Sequence, residues 1–195
     1  MTRSRTWKGP LAAAVRRLIK GREASAVVEF ALILPVMLTM YLGSMELGQA
    51  FSVDQRITII AGTVGDLVAR ADGSISNATL NSYFQAAQAI VGPFSTTGLK
   101  QVVTVVRVDN SGGTTVEWSK GYNGGTPKTA GVAYPGPNAI PDAMLAISHN
   151  SVVVVSEATY PYTPLLGLFF KQPFTLYHQN FYLPRFPGDI ACTGC

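Results

Sequence analysis

Two cysteines, Cys192 and Cys195, are the residues of this chain whose types and spacing most directly suggest chemistry. A C-x-x-C pair exchanges disulfides when a helix N-terminus lowers the pKa of its first thiol. The sequence predicts no helix at this motif, so a local disulfide, formed in an oxidising extracytoplasmic compartment, is the favoured interpretation. Because the closed loop is so short, this bond would add little stability, and exchange with another subunit is the alternative.

No second group of residues suggests catalysis or metal binding. The two histidines, His149 and His178, are distant from the cysteines in the sequence and do not complete a four-ligand zinc pattern. The sequence also contains neither a G-x-S-x-G nucleophile motif nor a glycine-rich phosphate loop. We therefore expect a protein without enzymatic activity, metal or cofactor.

Glu29 is the remaining candidate, because it is a carboxylate near the start of a long apolar run. Residues 30–45 are sixteen positions without a charge, and a helix over residues 24–45 would contain twenty-two residues. At ~1.5 Å per residue it would extend about 33 Å, enough to cross a hydrocarbon core of about 30 Å. The run predicts one membrane-spanning helix, which Pro35 should kink but not break.

The distribution of charge predicts the orientation of this helix. Only 13% of the 195 residues are charged, and the mean hydropathy is +0.23. Seven of the fifteen Lys and Arg residues precede position 24, whereas the rest of the chain has eight of them against ten Asp and Glu. By the positive-inside rule the N-terminus is cytoplasmic and the body is extracytoplasmic. A basic arm on a faintly acidic body does not indicate a nucleic-acid partner.

A secretory signal peptide is the alternative interpretation of the same segment. Its apolar core would be residues 30–42, and Gly48 and Ala50 would be the small residues of its cleavage site. A preceding region of twenty-nine residues, and Glu46 close to that site, are untypical of such peptides. An anchored chain is therefore favoured over a secreted one.

Two interpretations of Glu29 follow from its position. An ionised carboxylate deep in a bilayer costs at least ~2.5 kcal/mol, so Glu29 would extend toward the cytoplasmic headgroups beside Arg22. If instead the chain is cut between Ala24 and Ser25, Glu29 becomes the fifth residue after a new ammonium group. In staggered neighbouring helices, that ammonium would pair with Glu29 of the next subunit and set the register between them.

The order of residues from 24 to 51 resembles a known family. The stretches A-S-A-V-V-E-F-A-L-I-L-P at 24–35 and L-G-S-M-E-L-G-Q-A-F at 42–51 are similar to the TadE-like pseudopilins of the tight adherence (Tad, Flp) pilus. The resemblance implies cleavage between Ala24 and Ser25 by an aspartyl prepilin peptidase. It also implies that Glu29, Phe30 and Pro35 act in assembly and helix register. Members of the family usually have Gly before the cut, where this chain has Ala24.

The resemblance also implies a location and partners. The chain would be a single-pass protein of the bacterial inner membrane, with its C-terminal domain in the periplasm or incorporated into the extracellular pilus. Its partners would be the membrane, the prepilin peptidase, other Tad pilins and pseudopilins, and the inner-membrane pilus assembly machinery. Its function would be that of a minor pilin or pseudopilin in pilus biogenesis and surface adherence.

Two other functions stay open at this point. The first is a secreted or membrane-anchored periplasmic binding or thiol-exchange module. The second is an uncut single-pass scaffold that keeps its basic arm as a cytoplasmic contact. The three interpretations differ in the residue at which the mature chain begins.

The pattern after the membrane segment predicts a pilin-like α+β domain. Apolar residues from Val53 to Val68 recur every three or four positions, so the helix should continue as a stem that packs on its own domain or on another pilin. A second helix is expected at 78–91, capped by Ser76 or Asn77. Strands are expected at four ranges and should form an antiparallel sheet of about three to four strands: 101–108, 114–119, 151–160 and 174–183.

The domain organisation follows from these elements. Residues 1–24 would be a basic cytoplasmic leader, and residues 25–71 a transmembrane helix and stem. Residues 72–195 would be the extracytoplasmic α+β domain, with a long surface loop at 120–141 because that range is rich in glycine and proline.

Overall fold

The computed structural model describes residues 22–134, 140–167 and 170–195, with side chains from residue 26 onward. Its longest element is helix α1, Arg22–Ala69, which has 48 residues and continues through Pro35 without interruption. The chain divides into two units, with the boundary between Leu47 and Gly48. The predicted long N-terminal helix is therefore confirmed, and each unit is described below by itself.

In the first unit, α1 exposes almost all of its large apolar side chains. Leu32 and Met40 are each 70% exposed and Phe30 is 64% exposed. The hydroxyl of Thr39 donates a hydrogen bond of 2.7 Å to the carbonyl of Pro35, so this polar side chain is satisfied within the helix. Among the described residues, α1 is the one helix long and apolar enough to cross a membrane.

In the second unit, residues 48–69 of α1 contribute one face to the hydrophobic core. The buried residues recur at helical spacing and are Val53, Ile57, Ile60, Val64 and Val68. Residues three and four apart in a helix lie on the same side, so this stripe buries together. Of the two uses predicted for the stem, packing on its own domain is the one that the structure contains.

A second helix packs on the same core. Strand β1, Ser74–Ser76, leads directly into helix α2, Asn77–Gln88, and a 3₁₀ turn, Ala89–Val91, ends it. Ser76 is the N-cap, because its hydroxyl oxygen accepts a hydrogen bond of 3.1 Å from the backbone N–H of Thr79. The prediction of this helix is confirmed, and Ser76 is the cap of the two candidates.

The domain contains one four-stranded antiparallel sheet. Its strands are β2, Lys100–Val108, β3, Thr114–Tyr122, β4, Ser151–Tyr162, and β5, Phe174–Tyr182. Their order across the sheet is β3-β2-β4-β5. The predicted α+β fold with an antiparallel sheet of three to four strands is therefore confirmed.

The two central strands are buried on both faces. On one face Val103, Val105 and Val154 join the core formed with the helices. On the other face Val106, Val153 and Val155 form a smaller cluster with Tyr134 and other residues. Because neighbouring residues in a strand point to opposite faces, the run of valines in β4 supplies both clusters.

Three features differ from the sequence-based expectation or were absent from it. Strand β3 continues to Tyr122, so the long loop begins later than the predicted residue 120. A short helix α3, Asp142–Ile147, precedes β4. Strand β6, Ala191–Thr193, pairs in parallel with β1 and was not predicted. Two three-residue strands far apart in sequence have too few residues for a recognisable alternating pattern.

Candidate functional site

The residues predicted for processing and helix register all lie near the start of α1. Ala24 and Ser25 have helical backbone, and Glu29 follows Ser25 by four residues, which is an axial rise of about 6 Å. Glu29, Phe30 and Pro35 are exposed. A new ammonium group at Ser25 would thus lie about one helical turn from the carboxylate of its own chain.

The exposed face around Glu29 is almost wholly apolar. Its large exposed residues are Val27, Val28, Phe30, Leu32, Ile33, Leu34, Val36, Met37, Leu38, Met40, Tyr41, Met45 and Leu47. A helix that is hydrophobic on all sides is stable when lipid or other apolar helices surround it. This segment can therefore act by packing, and Glu29 is the polar group placed within the packing surface.

A family model described as TadE-like protein matches residues 24–62, which are 39 of the 195 residues. This segment is TadE-like. The match includes the exposed apolar part of α1 and most of its buried stem. Comparisons with curated proteins and with solved structures gave no significant match.

The family match supports a component associated with the Tad pilus. The TadE-like family is one of structural pilus components and not of enzymes. Together, the match and the apolar helix support a membrane-anchored protein with a single span.

The side chain of Arg56 connects the stem of the TadE-like segment to the rest of the domain through hydrogen bonds and a contact with an aromatic ring. Its guanidinium donates hydrogen bonds to the backbone carbonyls of Ile90, at 2.9 Å, and Gly92, at 2.5 Å, and it lies 6.0 Å from the ring centroid of Phe94. A cation held against carbonyl groups and an aromatic face is oriented by both. Arg56 therefore fixes the end of the second helix against the stem.

An apolar groove lies beside the beginning of the second unit. It has a volume of about 650 Å³, and its walls include Gln49, Phe94, Tyr160 and Leu165. Leu165 is 75% exposed at its rim. All of its lining residues belong to the second unit.

The C-terminal segment after β5 is tied to the end of α1 by an acidic side chain. The carboxylate of Asp66 accepts hydrogen bonds of 2.6 Å from Arg70 and from Arg185. Arg70 first, and then Arg185, lowers the pKa of the Asp66 carboxyl below its ordinary value. The backbone N–H of Arg185 also donates to the carbonyl of Ala69 at 2.8 Å. These bonds fix the path of the segment toward β6.

A second ion pair holds the same segment against the sheet. The guanidinium of Arg107 binds Asp189 at 2.7 Å and also Glu117. The hydrogen bond to Asp189, which has the larger effect, and the hydrogen bond to Glu117 both raise the pKa of Arg107. The indole N–H of Trp118 donates to the carbonyl of Ile190. These contacts place the segment on the strands β2 and β3.

The cysteines lie at the end of the C-terminal segment that these contacts hold. The structure joins Cys192 to Cys195 through their sulfur atoms, with their Cα atoms 5.7 Å apart. Cys192 belongs to β6, opposite Ile75 of β1, and packs against the core. Cys192 itself lies in a strand and not in the first turn of a helix, although Gly194 of the closed loop lies near Asn77, the first residue of α2. The intramolecular disulfide in the cell stays a prediction.

The histidines are separate from the cysteines and from each other. The Nε2 atom of His178 lies 2.6 Å from a carboxylate oxygen of Asp54, and the Nδ1 atom of His149 lies 3.3 Å from the carbonyl of Asp109. Within residues 22–134, 140–167 and 170–195, no group of three or more His, Cys, Asp and Glu residues could hold a metal ion.

One buried carboxylate was not recognised as a candidate from the sequence. Glu157 lies in β4 and is only 7% exposed. Its signal in the sequence is a charge within a strand that is otherwise mostly apolar. Nearby, Tyr134 accepts a hydrogen bond of 2.8 Å from Gln179, and burial, followed by the charge of Glu157, raises its pKa.

Proposed function

We propose that this chain is a minor pilin or pseudopilin that acts in the assembly of a Tad-type pilus and in surface adherence by packing its N-terminal helix against other subunits. The observation that carries the proposal is the position of the TadE-like match on a helix whose large apolar residues are exposed. Such a surface requires lipid before assembly and other apolar helices after it.

The proposed organisation has three parts. Residues 1–24 are a basic leader in the cytoplasm, residues 25–71 a transmembrane helix and stem, and residues 72–195 a periplasmic domain. Seven Lys and Arg residues before position 24 support this orientation in the inner membrane. The proposed partners are the prepilin peptidase, other Tad pilins and pseudopilins, and the inner-membrane assembly machinery.

Processing is proposed to occur between Ala24 and Ser25. The new N-terminal ammonium would face Glu29 of a neighbouring subunit, while Phe30 and Pro35 shape the apolar surface around the pair. A charge pair in a low-dielectric environment is strong only when its geometry is correct, so it favours one axial register among several apolar ones. Glu29 would therefore determine how subunits align and not merely whether they associate.

The test of processing is N-terminal sequencing of the membrane-extracted protein from cells with and without the prepilin peptidase. We expect the mature chain to begin at Ser25 only when the peptidase is present. A start at Met1 in both strains would establish an uncut scaffold, and a start near Phe51 would establish a secreted protein whose signal peptide had contained Glu29.

A pair of variants sharpens this test. Ala24→Gly restores the residue that the family usually has before the cut and should be processed at least as well as the natural chain. Ala24→Leu places a large side chain at the same position and should leave the basic leader attached. Equal processing of both variants would show that the cut lies elsewhere.

Assembly is tested separately from processing. Glu29→Gln removes the charge but retains the size of the side chain, whereas Glu29→Asp retains the charge. We expect Glu29→Gln to be cleaved normally but to lose copurification with other pilus subunits, and Glu29→Asp to retain part of it. Normal copurification of Glu29→Gln would contradict the role of Glu29 in register.

A further inference from the structure

The turn between strands β4 and β5 exposes two consecutive leucines. Leu165 is 75% exposed, the highest value among the large apolar residues that the structure describes, and Leu166 is 47% exposed. Even Leu32 and Met40, in the apolar part of α1, are less exposed than Leu165. Turns lie on the surface and are usually formed by polar residues, glycine and proline. An apolar pair in a hairpin turn therefore indicates a contact surface.

Aromatic residues hold the base of this turn. Tyr162 ends β4 and Phe174 begins β5, and the two are partners in the ladder with ring centroids 5.3 Å apart. The ring of Phe170 lies 5.1 Å from that of Phe174. The hydroxyl of Tyr160 donates a hydrogen bond of 3.0 Å to the carbonyl of Ser95. Because the base is held in this way, the turn needs little ordering when a partner covers its leucines.

The turn lies at the end of the second unit that also contains the first residues of that unit. Leu165 and Gln49 line the same groove, and the unit begins at Gly48. The peptide bond before Gly48 joins the unit to the apolar residues 26–47. When lipid surrounds those residues, this bond holds the end of the domain close to the lipid surface. A bilayer is therefore an apolar phase within reach of the exposed leucines.

The charges near the turn favour an anionic surface. Between Glu157 and Asp189 the sequence contains no Asp or Glu. Lys171, on the β5 side of the turn, is exposed, and the guanidinium of Arg56 lies against Phe94 in the groove wall. Cations beside an apolar surface are typical of segments that lie in the headgroup region of a membrane. A turn without carboxylates is also not repelled by negative headgroups.

We infer that the turn between β4 and β5 binds the lipid surface. Leu165 and Leu166 enter the boundary between headgroups and acyl chains, about 5–10 Å deep, and Lys171 binds anionic headgroups. The domain then has a second attachment to the membrane besides its apolar helix, which restricts its rotation about that helix. This inference rests on the membrane anchor of the proposed function and depends neither on cleavage nor on packing between subunits.

Quenching of tryptophan fluorescence by brominated lipids tests this contact. The full chain is reconstituted in nanodiscs of phosphatidylcholine and phosphatidylglycerol, with or without bromine on the acyl chains. Leu165→Trp places the probe in the turn, and the natural chain, which has Trp7 and Trp118, gives the background. We expect the added fluorescence to be at least about twofold lower in brominated lipid, because the probe then lies among the acyl chains.

Ile147→Trp is the matched control for this probe. Ile147 is 66% exposed but precedes β4, whereas Leu165 follows it, and the twelve residues of this strand extend about 36 Å. The fluorescence of Ile147→Trp should be equal in both lipids. Leu38→Trp, in the apolar part of α1, should be quenched.

Two outcomes contradict the inference in distinguishable ways. If Leu165→Trp were quenched no more than Ile147→Trp while Leu38→Trp was quenched, the lipid contact of the turn would be wrong and the anchor would stand. If Leu38→Trp also escaped quenching, the anchor itself would be wrong, and the inference would fail with it.

Replacement of Lys171 tests the contact with headgroups. In the Leu165→Trp chain, Lys171→Gln should lower the ratio of inserted to free turn about fivefold in anionic nanodiscs, since one cation near such a surface contributes about this factor. In nanodiscs of phosphatidylcholine alone, the same substitution should change nothing. Unchanged quenching in the anionic nanodiscs would show that Lys171 does not bind the headgroups.

A second copy of the chain is the other partner that the leucines would fit. Nanodiscs loaded with a single chain remove that partner. Quenching of Leu165→Trp that persists in them would support lipid as the partner. A blue shift without quenching, present only when a nanodisc holds two chains, would assign the turn to a contact between subunits and overturn the inference.

Discussion

The two parts of helix α1 have similar apolar residues in opposite environments. Ile33, in the first unit, is 54% exposed, whereas Ile60, in the second, is fully buried. The apolar residues of the first part occupy all sides of the helix, while those of the second part recur along one face. The periodicity of apolar residues, and not their number, therefore distinguishes a helix that packs on its own domain from one that remains available to lipid and partners.

This comparison also locates the surface available for assembly. The buried stripe of the stem is already used by the domain, so contacts through it would require the domain to unfold. In the first part of α1 the large apolar side chains are exposed, although Glu46 is buried. Helix packing between subunits is therefore expected to depend mainly on residues 26–47, with Phe51 and Ile59 as exposed apolar residues farther along the helix.

Truncation of matched isoleucines is the strongest test of the comparison. Ile60→Ala removes buried methyl groups from the core and should lower the free energy of unfolding of the domain by about 2–5 kcal/mol. Ile33→Ala removes a similar group from an exposed position and should leave that value unchanged within about 0.5 kcal/mol. Urea unfolding of the full chain in detergent micelles, followed by circular dichroism, measures both.

Equal destabilisation by the two isoleucine variants would contradict the comparison. If Ile33→Ala destabilised the domain as much as Ile60→Ala, the first part of α1 would be packed on protein. A small effect of Ile60→Ala would show that the stem is not part of the core. Helix propensity changes equally in both variants, since the same substitution is made within one helix, and it cancels in the difference.

Two glycines of α1 give a second matched pair with a smaller effect. A Cβ atom at Gly65 would lie 2.6 Å from two ring carbons of Tyr182 and 3.1 Å from Cβ of Ser156. Gly65→Ala should therefore lower the free energy of unfolding by about 1–3 kcal/mol. A Cβ atom at Gly48 would meet nothing within 4 Å, so Gly48→Ala should raise the free energy by about 0.5–1 kcal/mol.

The same unfolding measurement checks this pair, and Tyr182→Phe provides the control. That variant retains the ring that Gly65 contacts, so it should leave the penalty of Gly65→Ala in place. If both glycine variants were stabilising, the close approach of α1 to β5 would be incorrect. The pair thus tests whether the second part of the helix is pressed against the sheet.

Most regular elements could be predicted because they have long periodic patterns. The stem stripe from Val53 to Val68, the face of α2 containing Leu80 and Phe84, and the β-branched run of β2 were each recognisable locally. Strands β1 and β6 could not be predicted in this way. Their pairing depends on contacts such as that between Asp66 and Arg185, which are distant in sequence and leave no local signal.

The residues of the candidate sites were predicted less completely than the regular helices and strands. Glu29 and Pro35 were found because a charge or a proline within an apolar run is conspicuous. The family resemblance implied processing, and the spacing to Glu29 placed the expected cut between Ala24 and Ser25. Glu157 was missed although it is also a charge in an apolar strand. Glu157 is recognisable as a candidate only through its hydrogen bonds with Lys128 and Tyr177, which the strand order and the loop bring close to it. Sequence alone does not contain that arrangement.

Replacement of Asp66 should have the smallest effect on stability. This residue lies where the buried part of α1 meets the C-terminal segment. Its folded-state pKa is lowered by Arg70 and then by Arg185. Asp66 thus contributes stability above the unfolded pKa of about 3.9, and this contribution is lost as pH falls through the lower folded pKa. Asp66→Asn should lower the free energy of unfolding by about 0.5–1 kcal/mol at pH 7.

The pH dependence identifies the cause of that loss. The difference between the natural chain and Asp66→Asn should be constant above about pH 4 and should narrow at pH 3 and below, because the carboxyl group then binds a proton. Asp72→Asn, an exposed carboxylate just after α1, should show neither the loss nor the narrowing. A difference that persists unchanged at pH 2 would mean that Asp66 stabilises the helix end through packing or hydrogen bonds and not through its charge. The backbone bond from Arg185 to Ala69 would then hold the C-terminal segment at this end of α1.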